Sequence, residues 1–170
     1  MEKRLELHRC GDPGRSVCAQ ETGLRRVQQA AAPQRRRFRS PPHDFWDVVG
    51  GETVQRLSYP WPGYILATLL SYLDDERGIG LLHSEHHEIG SRISKARNGS
   101  IFVLAPTQRE LYLQRLNPQE FDPAELRRYY EEFNETEAEG VEEPMVAGVS
   151  FLRDTLAALG SGTVALLVMA

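Results

Sequence analysis

The sequence predicts a small α/β domain: about five helices around a two- or three-stranded, partly parallel sheet, preceded by a disordered basic arm. Three observations carry this. Two short apolar runs, Ser100–Ala105 and Thr163–Ala170, sit between helix breakers and read as buried strands. Two or three helical patterns lie between them, and a crossover of that length permits parallel pairing. Charge is unevenly divided along the chain. Residues 1–43 hold ten Lys/Arg and four Asp/Glu, a net +6, whereas residues 44–170 hold ten and twenty, a net −10.

Taken in order, residues 1–43 show no sustained apolar periodicity. Arg25–Pro42 ends in an arginine cluster and two prolines, and the segment reads as disordered. Nucleic acid is a partner only through residues 25–39, where arginines would neutralise phosphates. Glu2, Glu6, Asp12 and Glu21 argue against a transit peptide. The folded body, residues 44–170, is expected to begin near His43–Trp46, with Phe45, Trp46, Val48 and Val49 before a Gly50-Gly51 turn. Glu52–Tyr59 is a weak strand, its apolar residues out of phase.

The chain is organised around Tyr59–Leu82. Pro62 suits a first helical turn, and Ile65, Leu66, Leu69, Leu70 and Leu73 form one helical face. Asp74, Asp75 and Glu76 oppose the dipole at its end, and Gly78 is a C-cap. Tyr59, Trp61 and Tyr64 would cluster at the helix start, as core packing or as a binding hot spot.

His83, His86 and His87 follow at i, i+3 and i+4. On one helix face they could ligate a transition metal with Glu85 or Glu88. The pattern H-S-E-H-H-E is not H-E-x-x-H. Ser84 as N-cap would leave His83 outside a helix running to Arg97, and the imidazoles would then be solvated.

After the Ser100–Ala105 strand, Thr107 and Glu110 have capping-box spacing for a helix over Gln108–Leu116. Asp122 caps the next helix, with Pro123 at its first position. That helix places Leu126, Tyr129, Tyr130 and Phe133 on one side. Residues 120–143 then hold ten acids against Arg127 and Arg128. Pro144 opens a last helix carrying Val146, Val149, Leu152, Leu156 and Leu159, and Gly160 closes it. The apolar Thr163–Ala170 strand should be inserted between other elements.

Function is bounded rather than named. No apolar run is long enough to span a bilayer, and no secretory signal is visible. Two cysteines, Cys10 and Cys18, fit a reducing, cytoplasmic setting. Neither a G-x-G-x-x-G nor a P-loop stands in the right context; no catalytic residue or cofactor is assigned, and an enzyme is the less favoured class. The favoured reading is a non-enzymatic interaction module, inhibitor- or immunity-like. It binds a basic protein through Tyr129, Tyr130, Glu131, Glu132, Glu135, Glu137 and Glu139. The alternative is a metal-binding protein or metal-dependent enzyme using His83, His86 and His87; nucleic-acid binding through the arginine arm ranks third.

Overall fold

A computed structural model describes residues 13–31 and 53–169. Among the described residues four strands are seen: β1 (Pro13–Gln20), β2 (Thr53–Pro62), β3 (Ser100–Leu104) and β4 (Thr163–Met169). Six α-helices accompany them among the described residues: α1 (Leu24–Ala31), α2 (Gly63–Asp75), α3 (His87–Arg97), α4 (Pro106–Tyr112), α5 (Pro123–Asn134) and α6 (Glu142–Ala157). The sheet order is β2-β1-β4-β3, and each neighbouring pair is antiparallel.

This corrects the expected sheet of two or three partly parallel strands. A helical crossover permits parallel pairing without imposing it. Here α4, α5 and α6 return the chain to the end of the sheet where β3 left it, so Leu104 pairs with Ala165 and Ser100 with Met169. β4 is inserted between β1 and β3, as its apolar sequence requires.

The second correction concerns the N-terminal boundary. β1 lies inside the sheet, with Ser16 opposite Leu57 on one side and Leu167 on the other. Residues 13–31 therefore belong to the folded body. Composition hid them, because PGRSVCAQ has only three adjacent apolar residues and the surrounding arginines dominate. The expected arm over residues 1–12 and 32–43, and the Phe45–Val49 and Gly50-Gly51 readings, lie outside the described residues.

Alternation along the strands divides the core into two layers. Val164, Leu166 and Val168 of β4 join Val17, Ile101 and Val103 beneath α1 and α3, with Leu24, Val27 and Ile93 as their covers. Ala165, Leu167 and Met169 face the larger cluster built by α2, α5 and α6. Helices thus cover both faces.

In α2, Ile65, Leu66, Leu69, Leu70 and Leu73 are all buried, as their spacing predicts. Pro62 closes β2 and takes the N-cap position rather than the first turn. Tyr59, Trp61 and Tyr64 do not act together: Tyr59 is fully buried, Trp61 half-buried and Tyr64 exposed. The Tyr59 hydroxyl donates to the Pro144 carbonyl at 2.9 Å, tying β2 to α6. At Gly148 a Cβ would stand 2.6 Å from Leu69 Cδ2, so α2 and α6 cross where only glycine fits without repacking.

The cap of α4 differs from the expected Thr107–Glu110 box. The helix begins at Pro106, and Gln108 Oε1 accepts the Ala105 N–H at 3.1 Å. Asp122 caps α5 as read, its Oδ1 accepting from Ala124 N–H at 3.0 Å. The last helix starts two residues before Pro144, which sits in its first turn, where its missing N–H is harmless.

Because β1 supplies ladder partners to two strands, a chain starting at residue 44 should lose cooperative folding. Far-UV circular dichroism and urea unfolding check this; a native-like spectrum with a sharp transition would show that β1 is dispensable.

Candidate interaction surface and histidine turn

The seven residues expected to meet a partner separate into supports and free groups. Tyr130 is buried at 4 % exposure. Burial, with the nearby Tyr64, pushes its phenol up to about 12. Tyr129 is half-buried and donates to Asp75 Oδ2 at 2.7 Å. Its ring meets Tyr72 edge-on at 5.2 Å. Partial burial first, then the carboxylate of Asp75, push its phenol well up.

Glu131 is also committed. Its Oε1 accepts from Arg127 Nε at 2.8 Å and from the Ala138 N–H at 3.1 Å. The Arg127 guanidinium reaches on to Glu142 Oε1 at 3.3 Å. The bond from Arg127, then that from Ala138, hold the Glu131 carboxyl below the usual carboxylate range. This cluster fastens the end of α5 to the loop before α6.

Glu132, Glu135, Glu137 and Glu139 are exposed and have no ion-pair partner among the described residues. Phe133 stands beside Glu132 and Asn134 at the end of α5. It is 53 % exposed and stacks on Tyr129 at 5.7 Å with an interplanar angle of 20°. Periodicity from Leu126 places Phe133 inward, yet only Leu126 and Tyr130 of α5 are buried. Its position in the last turn, next to a mostly acidic segment, was the available signal.

Glu135 carries a positive φ of 51° as the α5 C-cap. Glycine or asparagine is the usual residue there; a branchless backbone avoids the Cβ clash that glutamate meets.

The histidines do not converge. His83 is exposed, with Nε2 at 3.8 Å from Asp74 Oδ2. The His87 ring lies 5.7 Å from that of His83, and its Nδ1 is 3.2 Å from the Leu82 carbonyl. His86 points elsewhere, its Nε2 3.5 Å from Glu21 Oε1 in the turn after β1. No group of three potential metal ligands forms among the described residues. α3 starts at His87, two residues later than a Ser84 N-cap requires. Ser84 instead accepts from His86 N–H at 3.2 Å and donates to the Val103 carbonyl.

A cavity of about 240 Å³ opens between α3 and β3, lined by His87, Ser91 and Ser94 on the helix and Ser100 and Phe102 on the strand. Cys18 is a buried thiol, pushed up by that burial. Among the described residues, no helix is long and apolar enough to cross a membrane. Comparison with protein-family models, curated proteins and solved structures gives no match to this chain.

Two outcomes follow from this geometry. The folded-state carboxyl of Glu131 titrates below its unfolded value, so its stabilisation is present above the ordinary carboxylate range and lost as pH falls through it. Glu131→Gln should therefore flatten the fall in melting temperature between about pH 6 and about pH 3, relative to wild type. An unchanged profile would show that the Arg127 bond carries no net stability. Separately, Glu135→Gly should raise the unfolding free energy by about 0.5–1 kcal/mol in urea titration. A loss of stability would mean that Glu135 earns its place through contacts.

Proposed function

We propose that this chain is a non-enzymatic interaction module that binds a basic protein through the exposed end of α5 and the acidic segment after it. The observation that carries this reading is Phe133: a large aromatic ring, more than half exposed, held flat against Tyr129 beside four uncommitted carboxylates. Exposed aromatic anchors supply binding energy, and unpaired acids supply steering toward a cationic partner. An inhibitor- or immunity-type role in the cytoplasm is the form this takes for a small acidic domain, by analogy of shape and charge.

Tyr130 and Glu131 are supports in this proposal, not contacts. The partner-facing set is Phe133, the outer face of Tyr129, Glu132, Glu135, Glu137 and Glu139. Tyr129 is held by Asp75 and Tyr72, so the platform is ordered before binding, which lowers the entropy lost on association.

The test is affinity capture at low and high salt, followed by kinetics on any basic protein retained. Phe133→Ala should weaken binding about tenfold or more, chiefly through faster dissociation. Reversal of Glu135, Glu137 and Glu139 to lysine should slow association and abolish the salt dependence. A partner held equally by wild type and both variants removes this surface from consideration.

A further inference from the structure

Four aromatic rings run in contact from the core to the surface. Phe121, just before α5, meets Tyr72 of α2 edge-on at 6.3 Å, and Tyr72 meets Tyr129 of α5 at 5.2 Å. Tyr129 in turn carries Phe133, stacked at 5.7 Å. Phe121 and Tyr72 are buried, Tyr129 is half-buried and Phe133 is more than half exposed.

The two ends of this row share a plan. At the inner end the Tyr72 hydroxyl donates to Glu125 Oε1 at 2.6 Å. The Arg77 guanidinium lies 4.6 Å from the centre of the Phe121 ring, and one of its N–H groups reaches the Tyr72 hydroxyl at 3.4 Å. A phenylalanine, a tyrosine tied to a carboxylate and an arginine over the ring form one unit. At the outer end the Tyr129 hydroxyl donates to Asp75 Oδ2 at 2.7 Å, and Phe133 lies against that tied tyrosine. The difference is in the ring faces: Arg77 covers that of Phe121, whereas that of Phe133 is turned to solvent.

The surroundings of Phe133 favour a guanidinium there. Tyr129 covers one face of the ring at an interplanar angle of 20°, so the exposed face admits a flat group. Aromatic faces carry the negative side of the ring quadrupole and attract cations. Glu132 is exposed next to Phe133, and Asp75 and Glu76 are exposed beside Tyr129. Burial first, then these two acids, push the Tyr129 phenol up. An apolar side chain placed on Phe133 would desolvate nearby carboxylates without answering them. An ammonium answers them but is compact and strongly hydrated, and gains little from the ring. A guanidinium is planar and weakly hydrated; it stacks on the ring and directs its N–H groups sideways to carboxylates.

We propose that Phe133 is the seat of an arginine side chain of the basic partner, its guanidinium laid on the exposed ring face and its charge answered by Asp75, Glu76 and Glu132. This assignment rests on the α5 surface proposed above and adds the chemistry of its anchor: arginine in preference to lysine.

NMR titration of the full chain at low salt tests it, with three blocked pentapeptides: Gly-Arg-Gly-Arg-Gly and its lysine and citrulline counterparts. The arginine peptide should bind about two- to fivefold more tightly than the lysine peptide. It should shift the ring signals of Phe133 and Tyr129, and its own side-chain methylenes should move upfield in the ring current. The citrulline peptide, flat but uncharged, should bind least. Phe133→Leu should lower the affinity for the arginine peptide to that for lysine and leave the lysine affinity unchanged, while Phe133→Tyr should keep the preference. Equal binding of the arginine and lysine peptides by wild type, both released by salt, overturns the arginine seat and leaves the acidic surface standing. A preference that survives Phe133→Leu places the arginine elsewhere and overturns it too, as does citrulline binding as tight as that of arginine, which would make the ring an apolar contact. If none of the three peptides binds, both the seat and the surface reading beneath it are overturned.

Discussion

The structure depends on β1 holding two ladders at once. Its residues pair with β2 through Arg15↔Ser58 and Ser16↔Leu57, and with β4 through Arg15↔Val168 and Ser16↔Leu167. Without it, β2 has no neighbour in the sheet and β4 loses one of two. The pairing joins Arg15 to Val168 and Gln20 to Thr163, so closing the sheet carries the entropy cost of a long loop. The burial of Ser16, whose hydroxyl has no protein partner, and of Thr155 in the same state, is a cost the sheet and its helices absorb.

From that sheet the positions of the outer groups follow. α2 leaves β2 directly and fills one face with its leucines. α5 then packs against α2 through Tyr72, whose hydroxyl donates to Glu125 Oε1 at 2.6 Å, and through Asn134, whose Nδ2 donates to Thr68 Oγ1 at 3.2 Å. Tyr129 lies between these two ties. The aromatic pair at the end of α5 is therefore fixed to the scaffold from both ends of the helix, while Phe133 projects beyond the last core residue, Tyr130.

Much of this was legible in the sequence where one physical signal dominated. The α2 leucines, the Asp122-Pro123 cap and the two apolar strands follow from period, capping chemistry and β-propensity. What was not legible depended on neighbours. β1 reads as polar because Arg15 and Gln20 are exposed while Ser16 and Cys18 are buried for tertiary reasons alone. Strand direction is set by where α4, α5 and α6 return the chain, which no local pattern records. For the candidate surface, the sequence located the acids but could not tell Glu131, which is paired, from Glu132, which is not. It placed Phe133 inward by period, yet the last turn of α5 extends past the layer it packs on.

The distinction between committed and uncommitted charge also resolves the acids at the end of α2. Asp74, Asp75 and Glu76 oppose the helix dipole, but cationic groups answer there. Arg115 donates to the carbonyls of Gly78, at 3.1 Å, and Arg77. The Arg77 guanidinium lies 4.6 Å from the Phe121 ring centre and donates to the Tyr72 hydroxyl at 3.4 Å. Asp75 accepts from Tyr129, and Asp74 faces His83. Asp74 and Asp75 are thus explained by the fold itself, and Glu76 is exposed beside them. The acids at Glu132, Glu135, Glu137 and Glu139 are not, since no described cation, cap or hydroxyl bonds to their side chains. A region where Asp74 and Asp75 serve neighbours thus adjoins one where Glu132, Glu135, Glu137 and Glu139 do not, and the exposed Phe133 belongs to the second. Solubility accounts for loose acids, but not for a large aromatic ring held in place among them.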